Sequence, residues 1–222
     1  MRRVLLLDTE STGLDPKDAC IEVACVVFDL AHASPIVSFA SLIQHHSNAA
    51  EAVNRIPAAL LAEAPPSALI WPRVAAMADG CDAILAHNAA FDRGFVPAAL
   101  RDSKPWICTM SDLEWPQQTK PGQSLVALAL AHGLGVGSAH RAAADCDLIS
   151  RLLARIAEQG TDLPAFLARG LRPKATFQAL VSFADKDKAK DAGFSWEPES
   201  KRWLRTLAIE DANFPFQIRK VA

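Results

Sequence analysis

Three apolar runs rich in β-branched residues lie within the first 43 residues and are separated by short connections. They occupy residues 4–7, 21–28 and 36–43. Runs of this length and composition predict strands, and short connections favour antiparallel neighbours. We therefore predict that the fold begins with three antiparallel strands.

The rest of the first 160 residues alternates between strand-like and helical patterns. Short apolar runs at 84–87 and 106–108 predict two more strands. Helical spacing of apolar residues predicts helices over about 89–101, 123–132 and 141–158. This order predicts an α/β fold, in which a mixed sheet is flanked by helices.

The length of 222 residues allows one ordinary domain and a small second unit. Periodicity breaks over residues 161–174, which we interpret as a linker between a domain at 1–160 and a unit at 175–222. Within that unit we expect a strand at 177–183, a short helix at 186–192 capped by Asp185 and stopped by Gly193, and a returning strand. The C-terminal part is thus predicted to be a small α+β accessory unit packed on the first domain.

Charge and cysteine content exclude several classes of protein. The 23 Lys and Arg residues nearly balance the 25 Asp and Glu residues, so the whole chain has no basic field. No apolar run approaches the roughly 18 residues that a membrane span needs. The five cysteines are odd in number and form no CxxC pair, which favours reduced thiols in the cytoplasm over disulfides or a zinc site.

Two acids, Asp8 and Glu10, follow the first apolar run. Alternate residues of a strand share one face, so both carboxylates should lie side by side at the end of this strand. Such a pair repels unless a cation lies between its members. A single Asp-x-Glu is most often a solvated surface pair, so further acids are needed to indicate a metal site.

Asp92 is the next candidate, because it falls on the apolar stripe of a predicted helix together with Phe95, Val96 and Ala99. A carboxylate that faces the core must be paired, hydrogen-bonded or bound to a metal. The alternative is a salt bridge to a nearby arginine or an interaction with the helix dipole.

Asp145 repeats this pattern at the head of the last long helix. It precedes Ile149, Leu152 and Ile156 on one stripe, whereas Asp147 is placed to form an exposed ion pair with Arg151. The sequence thus separates an inward acid from an outward one.

Four inward acids from three separate elements are the ligand set of a two-metal phosphoryl-transfer site. Hard oxygen ligands suit Mg²⁺ or Mn²⁺, and two ions can stabilise both the attacking and the leaving oxygen. His140 precedes Asp145 on a predicted loop, where an imidazole could take the proton from an attacking water.

Three segments in which these residues lie resemble the motifs of the DnaQ-like 3′→5′ exonucleases. Residues 8–14 (DTESTGL) resemble the first motif, 86–92 (AHNAAFD) the second and 140–145 (HRAAAD) the third. The His-x4-Asp spacing is that of the DEDDh branch. The chain contains no Tyr, which excludes the sister branch that uses Tyr in place of His. Residues 106–110 (WICTM) are similar to the X-type exodeoxyribonucleases.

The resemblance implies an RNase H-like fold and hydrolysis that releases nucleoside 5′-monophosphates from a 3′ end. It implies two Mg²⁺ ions, which Mn²⁺ can replace, and His140 as general base. The implied metal ligands are Asp8, Glu10, Asp92 and Asp145. The implied substrate-binding residues are Ser11, Thr12, Leu14 and Asn88. For Leu14 the alternative is simple turn packing, and for Asn88 it is an N-cap for the following helix.

The X-type resemblance favours DNA as substrate, with a single-stranded or frayed 3′ end. A polymerase or another replication or repair protein is a candidate partner. The alternatives are an exoribonuclease of the same fold and a non-catalytic polymerase-accessory or nucleic-acid-binding module. In the C-terminal unit, Trp196, Trp203, Arg202 and Arg205 could form a surface that contacts nucleic acid, or the two Trp could be the core of the unit.

Overall fold

The computed structural model describes residues 1–15, 17–137 and 141–221, and a five-stranded mixed sheet lies at its centre. The strands are β1 (Arg3–Ser11), β2 (Cys20–Asp29), β3 (Ser34–Leu42), β4 (Ala83–Ala86) and β5 (Trp106–Cys108). Their order is β3-β2-β1-β4-β5, with the first two pairs antiparallel and the last two parallel. The predicted α/β fold with an antiparallel beginning is confirmed, and β1 occupies the middle of the sheet.

Helices cover both faces of this sheet. The helices are α1 (Glu51–Asn54), α2 (Ala58–Ala62), α3 (Ser67–Asp79), α4 (Ala89–Phe95), α5 (Ala98–Arg101), α6 (Leu125–Ala131), α7 (Ala142–Glu158) and α8 (Leu163–Ala168). Alternation along β1 sends Val4 and Leu6 into a core with α6, α7 and α8, and sends Leu5 and Leu7 into a second core with α3. Within the described ranges, every helix is too short or too polar to cross a bilayer.

The longest helix, α7, has the predicted orientation. Ile149, Leu152 and Ile156 are completely buried against the sheet. On the outer side, Asp147 pairs with Arg151 at 3.7 Å, as expected for an exposed i,i+4 pair. The helix phase read from the sequence is therefore confirmed, and it places Asp145 toward the sheet.

The single helix predicted over 89–101 is wrong, because the chain forms two short helices there. Val96 is extended, with φ −89° and ψ 150°, and α4 ends at the residue before it. The residue before a proline is disfavoured in the α region, so Pro97 stops the helix and a new one begins at Ala98. Ala99 is consequently exposed and does not continue the stripe of Asp92.

The segment predicted as a linker, 161–174, is built into the first domain over much of its length. It contains α8 and a 3₁₀ turn at Arg169–Leu171, and Leu163, Phe166 and Leu167 are buried in the core on the α7 side. Asp162 caps α8 by accepting a hydrogen bond from the Ala165 N–H at 3.0 Å. The helix is short, so its periodicity is not evident in the sequence.

The C-terminal unit is a small α+β structure, as predicted. Its strands are β6 (Lys174–Ala179), β7 (Ser195–Glu197), β8 (Arg202–Ala208) and β9 (Ile218–Lys220), in the antiparallel order β7-β8-β6-β9, and its helix is α9 (Lys186–Asp191). Gly193 ends this helix with a φ of 77°, in the left-handed region that favours glycine. Lys174 joins the unit to the first domain through a salt bridge of 2.5 Å with Asp112.

Two local predictions for this unit are wrong. The strand expected at 177–183 begins earlier, at Lys174, and ends at Ala179, and the last predicted residue, Phe183, belongs to a 3₁₀ turn at Phe183–Asp185. Asp185 precedes α9, but its carboxylate does not cap that helix. It instead pairs with Lys188 at 2.8 Å and accepts a hydrogen bond from the Ser182 hydroxyl at 2.7 Å.

The packing of the predicted linker is open to test at Gly170. A methyl group there would lie 2.5 Å from Cγ2 of Ile107, a fully buried residue of β5. We expect Gly170→Ala to lower the free energy of unfolding by about 1–3 kcal/mol, the usual cost of overpacking a core. Urea denaturation measures the change.

The matched control is Gly80→Ala, since a methyl group at Gly80 would meet nothing within 4 Å. We expect that variant to be as stable as the parent chain or up to about 1 kcal/mol more stable. Equal stability of both variants would contradict the packing of this segment on the sheet.

Candidate functional site

The structure brings three of the four predicted acids together at the end of β1. Asp8 and Glu10 continue the side of β1 that packs against α7, and Asp145 lies in the first turn of that helix. One carboxylate oxygen of each residue lies within 4.8 Å of the other two. This spacing would allow a single cation to contact all three carboxylates.

Asp92 approaches from α4 and is fixed by Thr9, which lies between the two strand acids. Oδ1 of Asp92 accepts hydrogen bonds from the Thr9 N–H at 2.9 Å and the Thr9 hydroxyl at 2.8 Å. The carboxylate is buried, with 2% of the residue exposed. The predicted alternative of a salt bridge to arginine is wrong, because Arg101 pairs with Asp102 and Arg93 lies over the ring of Trp106.

The acids strongly perturb one another. Burial, followed by the charges of Asp92, Asp145 and Glu10, raises the pKa of Asp8 well above its usual value. Burial, followed by the charge of Asp145, raises the pKa of Glu10 to about 7. Burial also raises the pKa of Asp92, although the hydrogen bonds from Thr9 oppose this shift. The cluster therefore carries more negative charge than its surroundings stabilise, which is the electrostatic condition for binding a cation.

A fifth acid, Glu22, holds the beginning of α7 beside this cluster. It lies opposite Glu10 on β2 and is buried. Arg141 donates to both of its oxygens, from Nε at 3.0 Å and from Nη2 at 2.8 Å. The Ala142 N–H donates to the same carboxylate at 3.1 Å, so Glu22 also satisfies a free donor of the helix N-terminus.

Sequence reasoning missed Glu22, although a signal was present. Glu22 is the one charged residue inside the apolar run at 21–28. A charge that is buried within a strand must be paired or hydrogen-bonded. That rule predicts a partner, but only the fold identifies Arg141, which is 119 residues away.

An open cavity lies beside the carboxylates, and Leu14 and Asn88 both line it. Leu14 is 86% exposed, so the alternative that it merely packs within the turn is wrong. Asn88 has a φ of 74°, in the left-handed region that Asn tolerates better than most residues. Its side chain makes no capping hydrogen bond, so the predicted capping role is also wrong. Neither side chain is therefore used by the turn or by the helix cap, and both residues line the cavity.

Ser11 and Thr12 use their hydroxyls within the turn that follows β1. The Ser11 hydroxyl donates to the carbonyl of Gly13 at 2.6 Å, and the Thr12 hydroxyl donates to Asp18 at 3.0 Å. Ser11 lines the cavity, whereas Thr12 is not among its lining residues. Their role in binding substrate stays a prediction, and their observed role is to hold the turn that presents Leu14.

Asn54 and His87 also line the cavity and were not predicted. The Asn54 amide donates to the carbonyl of Ser11 at 3.1 Å, which ties α1 to the end of β1. His87 is bracketed by Thr109 Oγ1 at 3.0 Å and the carbonyl of Gln123 at 3.2 Å. Burial lowers the pKa of His87 to about 4, so this imidazole stays neutral and is suited to support the wall of the cavity. The predicted base, His140, lies outside the described residues.

Comparison with known families gives two matches. Residues 5–153 match the family described as Exonuclease, which covers the sheet, the acidic cluster and most of α7. Residues 175–221 match a family described only as a domain of unknown function.

Individual proteins that are similar to this chain are likewise named as exonucleases. Exodeoxyribonuclease 10 of Escherichia coli K12 is 29% identical over 217 residues, an alignment that covers 90% of this chain and 89% of that protein. A protein of Mycobacterium tuberculosis named as a bifunctional exonuclease/endonuclease is 28% identical over 202 residues, and this alignment spans only 30% of its length. The structure of Exonuclease X in complex with 5′ overhanging duplex DNA is similar at 26% identity and a TM-score of 0.56, covering 75% of this chain and 99% of that one.

The electrostatic strain of the cluster predicts a pH dependence of stability. The pKa of Glu10 is about 7 in the folded chain and 4.5 in the absence of the fold. A raised folded pKa gives stability that is complete below pH 4.5 and is lost as the pH rises through 7. In a chelating buffer, Glu10→Gln should therefore gain about 0.5–2 kcal/mol in unfolding free energy relative to the parent chain between pH 5 and pH 8, because solvent screens part of the repulsion on this partly exposed carboxyl.

Urea denaturation of both proteins at the two pH values gives this difference. The matched control is Glu63→Gln, which replaces an exposed glutamate outside the cluster. If Glu10→Gln and Glu63→Gln respond identically to pH, the carboxylates do not strain the fold.

Proposed function

The chain belongs to the Exonuclease family, and from that premise we propose that it hydrolyses the terminal phosphodiester at the 3′ end of DNA. It is an enzyme, a DnaQ-like 3′–5′ exonuclease of the X type. The observation that carries the proposal is the convergence of Asp8, Glu10 and Asp145 within 4.8 Å beside an open cavity.

DNA is the proposed substrate, and nucleoside 5′-monophosphates are the proposed products. The names of the E. coli relative and of the similar structure with bound DNA support this choice. A panel of 3′-hydroxyl single-stranded DNA, duplex DNA and RNA tests it. Faster turnover of RNA than of DNA would favour an exoribonuclease instead.

Two Mg²⁺ ions are the proposed occupants of the acidic cluster, with Mn²⁺ as a substitute. All its donors are carboxylate oxygens, which these cations prefer, and its raised pKa values indicate unbalanced negative charge. Asp8, Glu10, Asp92 and Asp145 would hold the ions. When bound, the ions stabilise the negative charge that develops on the phosphate and on the leaving oxygen.

The residues around the cluster have separate tasks in this proposal. Thr9 fixes one oxygen of Asp92, so that the other oxygen keeps its direction. The exposed side chain of Leu14 packs against the terminal base, and the amide of Asn88 offers a hydrogen bond to the nucleotide. His140 accepts the proton of the attacking water, a role that rests on the family resemblance.

Three further proposals concern the organisation and location of the protein. We divide it into a catalytic domain at 1–160, against which the 161–174 segment packs through α8, and an accessory domain at 175–222. A polymerase or another replication or repair protein is proposed as partner from the family resemblance alone. A cytoplasmic location is supported by the cysteines, which are free thiols and are buried at Cys25, Cys81 and Cys146.

The metal proposal predicts that a chelator abolishes activity and that added Mg²⁺ restores it. Asp8→Ala should lower the single-turnover rate by about 10³-fold or more, because it removes a ligand shared by the whole cluster. Asp147→Ala is the matched control. Its carboxylate lies two residues from Asp145 but points outward to Arg151, so this variant should keep near-normal activity. Undiminished turnover by Asp8→Ala would refute the assignment.

The role of His140 predicts a pH dependence of the rate. The single-turnover rate should rise as an imidazole deprotonates, near pH 6.5 for an ordinary histidine, at about one decade per pH unit below that value. His140→Ala should lower the rate by about 10²–10⁴-fold and flatten this rise. Its affinity for Mg²⁺ should stay unchanged, because His140 is not a proposed ligand. An unaltered profile in the variant would contradict its role as base.

A further inference from the structure

The C-terminal unit contains a groove that is lined by aromatic and basic side chains. Its lining residues lie between positions 178 and 203, beyond the acidic cluster in the sequence. Among the described residues, Phe183 and Trp196 are the two most exposed aromatic side chains, at 84% and 49%. Both line this one groove. Large exposed apolar side chains that cluster in one place mark a binding surface rather than random exposure.

The core of the unit does not require either of these rings. It is formed by Phe177, Phe194 and Leu207, with the partly buried Phe214 and Phe216 packed against them. Trp203 packs on this core as well, whereas Trp196 is not part of it and instead meets Trp203 at 5.6 Å between ring centroids. One Trp therefore serves the core, and the other extends from it into the groove.

Four cations surround the rings, and of the described residues that line the groove with them only one, Asp187, carries a carboxylate. The cations are Lys186, Lys190, Lys201 and Arg202. Across the described part of the chain, none of the four forms a salt bridge. By contrast, Lys188, which lies on α9 as Lys186 and Lys190 do, pairs with Asp185. Nζ of Lys186 lies 4.5 Å from the ring centroid of Phe183, so charge and aromatic surface are presented together.

We propose that this groove binds single-stranded nucleic acid, which in the context of the proposed function is the strand whose 3′ end is degraded. Bases would stack on Phe183 and Trp196, while the four cations contact successive phosphates. A phosphodiester strand offers flat faces and regular negative charge at once. An acidic peptide would satisfy the cations but would give the two rings no flat partners.

The test is fluorescence anisotropy of the full chain with a 5′-labelled 20-nucleotide oligo-dT, in chelator so that no cleavage occurs. Trp196→Ala and Phe183→Ala should each weaken binding by roughly 5- to 100-fold, the usual effect of losing one stacked base. Phe183→Ala shows whether weaker binding is due to misfolding, because this side chain is almost fully exposed and its removal should leave the fold intact. Lys186→Ala should lower the slope of log affinity against log salt by about one.

Leu69→Ala and Arg73→Ala are the matched controls, an exposed apolar residue and an exposed cation on α3. Both should bind as the parent chain does. Unchanged affinity in both aromatic variants would overturn the proposal. It would equally be overturned if sedimentation showed a dimer that Phe183→Ala dissolves without loss of oligonucleotide affinity, since the occupant would then be a second copy of the chain.

Turnover of the same oligonucleotide by the parent chain with Mg²⁺ tests the proposed function separately. Absence of turnover together with Trp196-dependent binding would refute the exonuclease proposal and support the groove. Turnover together with binding that depends on neither ring would support the exonuclease proposal and refute the groove.

Discussion

The repulsion among partly buried carboxylates at the end of β1 is the constraint on which this structure depends. Asp8, Glu10 and Asp145 can stay within 4.8 Å of one another only because separate, well-packed elements hold them. The sheet fixes the first two, and the buried stripe of α7 fixes the third. Glu22 secures the start of α7 through Arg141 and the Ala142 N–H, so it also holds Asp145, in the first turn of that helix, beside the strand acids. The stability that packing supplies thus offsets the electrostatic strain of the site.

Much of this arrangement can be predicted from the sequence, because it depends on local periodicity. Alternation along β1 places Asp8 and Glu10 on one side, and helical spacing distinguishes Asp145 from Asp147. The positive φ of Gly193 follows from its position after a short polar helix. These features are set by residues within a few positions of one another.

The remaining features depend on contacts between distant residues. The pairing of Glu22 with Arg141 and the hydrogen bonds from Thr9 to Asp92 join elements that only the complete fold brings together. The same is true of the 161–174 segment, which looked like a linker because its helix is too short to show a period. The capping role predicted for Asn88 is wrong for a different reason: its residue type suits a helix cap, but its backbone is left-handed and its side chain makes no capping hydrogen bond.

The central claim is that this strained cluster is completed by divalent cations. Anomalous diffraction from crystals grown with Mn²⁺ tests it most directly, because it locates the ions without relying on activity. We expect two Mn²⁺ peaks among the carboxylates of Asp8, Glu10, Asp92 and Asp145. An absence of anomalous density between these carboxylates, at a Mn²⁺ concentration that supports turnover, would contradict it.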